Sequence, residues 1–119
     1  MLNPTTLKEK ELKQNYYKWL KSGIKNYTIR TQDSRFKGKY PEGVELTVKN
    51  GRIVRAKDIR SDKEIITDKK YFFSVKELFG VAKWGIKDAK VAYDAKYGYP
   101  SLIVLKNGIT LSSYALKPR

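Results

Sequence analysis

Asp58 with Asp62, and Glu64 with Asp68, are the carboxylate pairs in this chain that could perform acid–base catalysis. Such catalysis needs two carboxylates converging in a cleft, one holding a proton and the other free to take one. These four acids instead lie among lysines and arginines in a stretch without helical or strand periodicity, the setting of solvated surface charge. The chain has no histidine and no cysteine. That excludes imidazole and thiolate nucleophiles, disulfides and Cys/His metal sites. No Gly-rich phosphate loop and no Ser-centred elbow occurs. The expectation is a protein that is not an enzyme and uses no metal or cofactor.

The most unusual segment is Tyr93-Asp94-Ala95-Lys96-Tyr97-Gly98-Tyr99-Pro100, which crowds three tyrosines around one turn. Tyr93, Tyr97 and Tyr99 could stack on bases or sugars with Lys96 beside them. The structural alternative is favoured: Asp94 binds backbone amides two residues on, Gly98 permits unusual angles, and Pro100 ends donor pairing. The tyrosine rings then cover the end of a sheet.

Charge supplies the other clue. Twenty lysines and six arginines against twelve acids give a net charge of +14. The excess is spread along the chain rather than held in a tail. Such a field attracts an anionic macromolecule: nucleic acid, anionic lipid, acidic glycan or acidic protein. The preference for Lys argues against planar, bidentate recognition. A candidate anion-binding surface is Lys8, Lys13, Lys18 and Lys21 on the first helix, with Lys96 in the tyrosine turn.

These residues must be positioned by a small α+β fold, read as one domain over residues 1–119. Thr6 to Glu9 fits a capping box, and Leu12, Tyr16, Trp19 and Leu20 form one apolar stripe, so a first helix is expected over about 6–22. Tyr27 and Ile29 begin a strand. Val44, Leu46 and Val48 alternate with polar residues and lead through Asn50-Gly51 into a returning strand. The apolar pattern there prefers a three-residue loop, pairing Leu46 with Val54 and Val44 with Ala56. Residues 58–72 are polar and irregular. A second capping box, Ser74 to Glu77, opens a helix over about 75–87 with Val75, Leu78, Phe79, Ala82 and Ile86 on its inner face. Strands follow at Val91–Tyr93 and Leu102–Leu105. Lys106-Asn107-Gly108 repeats the earlier hairpin triplet, pairing Leu105 with Ile109 and Ile103 with Leu111, and a last strand frays at Pro118. The expected architecture is an antiparallel sheet of five to six strands with two helices on one face, ordered as two α-β-β-β units. No apolar run approaches the ~20 residues of a membrane span.

The Tyr93-Asp94-x-x-Tyr97-Gly98-Tyr99-Pro100 turn with its following apolar strand resembles the signature of a bacterial family of uncharacterised small secreted proteins and lipoproteins, a domain of unknown function. The early aromatic helix with Trp19, the Tyr27-Thr28-Ile29 strand, Val48 to Gly51, and Leu78-Phe79 on a short helix extend the likeness over residues 16–105. The chain departs from that family in lacking cysteines after the first strand and in ending on Thr110 to Tyr114 rather than on an acidic strand. The resemblance implies no activity. It implies a periplasmic, secreted or envelope-associated location, reached after removal of a leader that this chain does not carry; the alternative is the cytoplasm. Three functional readings follow, in this order: a non-enzymatic envelope or secreted domain with a binding or structural role, a binder of anionic membranes or acidic glycans, and a nucleic-acid-binding protein. The first helix, with its lysines beside Tyr16, Tyr17, Trp19 and Leu20, is the element suited to an anionic interface.

Overall fold

The computed structural model describes residues 3–119. Helix α1 covers Pro4–Ser22, followed by strands β1 (Tyr27–Asp33), β2 (Val44–Lys49) and β3 (Arg52–Asp58). Helix α2 (Val75–Trp84) then leads into β4 (Lys90–Tyr93), β5 (Pro100–Val104) and β6 (Thr110–Pro118). The fold is α+β, and its order is α-β-β-β twice over. All six strands form one antiparallel sheet, ordered β3-β2-β1-β6-β5-β4. Each unit contributes three neighbouring strands, and the halves join where β1 pairs with β6.

Both helices cover the same face of the sheet, and Tyr27 shows why. Its ring meets the edge of Trp19 from α1, at 5.5 Å and 89° between ring planes. Its hydroxyl accepts a 2.8 Å hydrogen bond from the backbone N–H of Val75 at the start of α2. Ile29, Leu46, Val48, Ile103 and Leu111 complete the buried layer beneath the helices. The helices run antiparallel, because Lys8 near the start of α1 reaches the carbonyls of Lys87 and Ala89 just beyond α2.

Local chemistry sets the boundaries. The expected capping box at Thr6 is displaced by a stronger start three residues earlier. Asn3 accepts from the Thr6 N–H at 2.8 Å, and Pro4 takes the first helical position, where a missing N–H costs nothing. The box at Ser74 and Glu77 forms in both directions. Helix α2 ends at Trp84, three residues short of the expected end, with Gly85 as its cap.

The two Asn-Gly hairpins differ. Around Lys106-Asn107-Gly108 the loop has three residues, Gly108 has φ 91°, and Ile103 pairs with Leu111. At the first hairpin Asn50 and Gly51 both have positive φ, so a two-residue turn pairs Lys49 with Arg52. The extra residue expected in the loop is Val54 instead, expelled as a bulge that leaves it 45% exposed. Leu46 therefore faces Ala56, not Val54, and Val44 faces Asp58, not Ala56. The apolar face is kept and the irregularity moves three residues along the strand. The following segment forms no strand, only an isolated bridge at Lys57–Glu64 and a 3-10 turn over Thr67–Tyr71.

Candidate functional site

The Tyr93–Pro100 turn is tied to itself and then to α1. The Asp94 carboxylate accepts from the backbone N–H of Tyr97 at 2.7 Å and of Lys96 at 3.1 Å. Its backbone closes the loop, donating to Tyr99 O and accepting from Gly98 N. Gly98, with φ 84°, lies against the helix: a Cβ there would stand 2.5 Å from Asn15 O. Lys18 donates to Ala95 O from the helix side. Tyr99 and Pro100 are buried, with Tyr99 set edge-on to Trp19. Tyr93 stacks on Phe79 of α2, and its hydroxyl is buried with no hydrogen-bond partner among the described residues. Ala95 and Lys96 are exposed and Tyr97 is half-buried, with the Lys96 ammonium 5.0 Å from the Tyr97 ring centroid. The turn thus locks the second half of the sheet to α1 and offers little open aromatic surface.

The five candidate lysines separate into two groups. Lys8 and Lys18 spend their ammonium groups on backbone carbonyls 79 to 81 and 77 residues away. Lys13, Lys21 and Lys96 make no ion pair among the described residues. Lys13 stands on the rim of a groove of about 670 Å³ between the two helices. The groove floor is apolar: Leu12 and Phe79 are buried, and Tyr16 and Ile86 half-buried. Lys76 and Lys83 stand opposite on α2, and Glu9 is the single acid on its border.

Large exposed apolar side chains accompany these lysines. Leu20 lies one turn beyond Tyr16 on α1, and Trp84 lies one turn beyond Gly80 on α2. Trp84 is 82% exposed, Tyr17 62% and Leu20 55%. Sequence reading did not single out Lys76, Lys83 or Trp84. The signal was there: Trp84 falls off the buried stripe of Val75, Leu78, Phe79 and Ala82, so a large apolar residue was bound for the outer face.

The sheet's other face is also basic: three of its cations are paired, while Lys49, Arg52, Lys90 and Lys117 make no ion pair among the described residues. Arg30 meets Glu45 at 3.2 Å, Arg55 meets Glu64 at 3.2 Å, and Lys57 meets Asp62 at 2.8 Å. Tyr114, opposite Arg30, brings an aromatic ring there.

Asp58, Glu64 and Asp68 do share one shallow hollow of about 300 Å³. Each carboxylate is engaged. Asp58 accepts from Ser61 Oγ at 2.7 Å, and Asp68 accepts from Lys39 and from the Tyr40 hydroxyl, both at 2.7 Å. Hydrogen bonding to Lys39, reinforced by Tyr40, holds the Asp68 carboxyl below the ordinary carboxylate range; Lys57 does the same for Asp62. A general acid needs the opposite shift. Among the described residues no group of three or more acids is arranged to hold a metal ion, and no helix is long and apolar enough to cross a membrane.

Burial pushes the hydroxyls of Tyr27, Tyr40, Tyr93 and Tyr99 up to about 12, from an ordinary value near 10. Asp68 adds to the effect at Tyr40, Glu11 at Tyr93 and Asp94 at Tyr99. Between those values the native state holds protons that the unfolded chain has lost. Stability is therefore complete below pH 10 and drains away as pH rises through 12. Thermal melts from pH 8 to 12.5 check this. The melting temperature should hold to about pH 10 and then fall, with a shallower fall for Tyr99→Phe. A melting temperature unchanged through pH 12 would contradict the burial of these rings.

No curated protein and no solved structure matches the chain. A family model described as a family of unknown function (DUF6174) matches residues 11–107, from the middle of α1 to the last hairpin. With most of its length matched, including α2, the tyrosine turn and five of its six strands, the chain belongs to the family of unknown function DUF6174.

Proposed function

We propose that this chain is a non-enzymatic domain of the bacterial envelope, periplasmic or secreted, that docks its helical layer on an anionic lipid surface. One observation carries the reading: Trp84, Tyr17 and Leu20 stand exposed on helices whose outward lysines, Lys10, Lys13, Lys21, Lys76 and Lys83, are unpaired among the described residues. An interfacial element combines these features, with aromatic and aliphatic side chains entering the headgroup boundary and ammonium groups meeting lipid phosphates. Each lysine near an anionic surface contributes about 1 kcal/mol, so five supply about 5 kcal/mol before any apolar insertion. The opposite sheet face has unpaired cations of its own in Lys49, Arg52 and Lys117, but Trp84, Tyr17 and Leu20 stand exposed on the helices and favour this side. The engaged carboxylates support a role without catalysis. The envelope location rests on the likeness of the tyrosine turn and its neighbours to secreted proteins and lipoproteins.

Sedimentation with vesicles of 30% anionic lipid, against neutral vesicles, tests the proposal. The chain should pellet with the anionic vesicles and be released by salt, because screening shortens the reach of surface charge to about 8 Å at physiological ionic strength. Equal partition onto neutral vesicles, or no binding to either, would refute it. Tight, steeply salt-dependent binding to single-stranded nucleic acid without vesicle binding would replace it with the nucleic-acid reading.

A further inference from the structure

We infer that the groove between α1 and α2 holds one acyl chain of a free fatty-acid anion. This deepens the docking proposal and rests on the same helical face being the working surface. Three observations converge. The first is shape: about 670 Å³ lies within the ~300–1,000 Å³ usual for small-molecule clefts, and the floor of Leu12, Tyr16, Phe79 and Ile86 is apolar. The second is charge: Lys13, Lys76 and Lys83 surround that floor against Glu9 alone, so an apolar tail and an anionic head are both provided for. Lysine suits a mobile carboxylate, since it offers a point charge without imposing the planar geometry of arginine.

The third observation is Gly80. It lies inside α2 and lines the groove. Glycine in a helix interior is the poorest choice after proline, and alanine would serve the helix better. Nothing in the fold asks for it: its φ is not positive, and a Cβ there would meet no atom within 4 Å. Gly98 contrasts with it, since there the neighbouring helix forbids a side chain. A bare backbone facing open space becomes useful once something outside the chain lies against it, and a methylene chain is slender enough to do so.

Calorimetry with decanoate below its micelle concentration tests the inference, with the methyl ester as the uncharged control. Fluorescence of Trp84, one turn from Gly80, gives a second readout, since Trp19 is buried. Decanoate should bind saturably at one per chain, at least tenfold more tightly than the ester. Gly80→Ala should melt at a higher temperature and bind several-fold more weakly. Gly80→Leu should keep the far-ultraviolet circular dichroism of the parent and lose at least tenfold in decanoate affinity. Lack of saturable decanoate binding, equal binding of the ester, or unchanged affinity in folded Gly80→Leu would each overturn the inference. The two proposals separate cleanly. Vesicle binding without decanoate binding defeats the groove assignment and leaves the docking face. Decanoate binding without vesicle binding upholds the groove and defeats the docking face.

Discussion

Gly98→Val should destabilise the domain by about 2–5 kcal/mol. Two separate costs add. Holding a residue with a Cβ in the left-handed region costs about 1–2 kcal/mol, and Gly98 sits there with φ 84°. Its Cβ would also stand 2.5 Å from Asn15 O and 3.1 Å from the Lys18 Cβ, against helix backbone that cannot rotate away. Forcing a group into a packed contact typically costs a further ~1–3 kcal/mol. Chemical denaturation of parent and variant measures the sum. The same substitution at Gly51 meets no neighbour within 4 Å and should pay only the conformational part. If Gly51→Val proves as damaging as Gly98→Val, the close docking of the turn on α1 is wrong.

Trp19→Ala should cost about 3–5 kcal/mol, the range for emptying a large aromatic from a core. Trp19 is 7% exposed and packs at near-right angles to Tyr27 of β1 and to Tyr99 just before β5. One ring therefore joins α1 to both halves of the sheet. A domain of this size commonly holds 5–15 kcal/mol in total, so the variant should be at the margin of folding. Tyr17→Ala, two residues away and exposed, should change stability by less than about 0.5 kcal/mol. Denaturant midpoints for the two variants make the comparison, and similar values would contradict the assignment of faces on α1.

What could be read beforehand was whatever depended on local pattern. The stripes through Leu12, Tyr16 and Trp19 and through Val75, Leu78 and Phe79 mark both helices, and Lys106-Asn107-Gly108 marks its hairpin with the correct pairing. The first hairpin departs because its turn and its bulge are separable. Asn50-Gly51 takes the tight turn, and the register is restored by expelling Val54. Long-range use of side chains was not legible. Lys8 and Lys18 look like free surface charge in the sequence, but each reaches backbone carbonyls that only the folded chain brings near. The groove is invisible for the same reason. Lys13 and Lys83 are 70 positions apart and meet one hollow only because the helices pack antiparallel. Acidic pairing on the opposite face, Arg30 with Glu45 and Arg55 with Glu64, likewise depends on strand register.

Charge reversal on one face at a time is the most direct measurement of where this domain works. A Lys13→Glu, Lys76→Glu, Lys83→Glu variant and a Lys49→Glu, Lys117→Glu, Arg52→Glu variant each change the net charge by the same amount, the first on the helical layer and the second on the sheet strands. Their partition onto vesicles of 30% anionic lipid is compared with the parent. The helical variant should lose binding by at least about a hundredfold, roughly 1 kcal/mol for each lysine removed before the repulsion of the new carboxylates, while the sheet variant stays within about threefold of the parent. Equal losses in both would mean that net charge alone drives association. A larger loss in the sheet variant would place the docking surface on the opposite face.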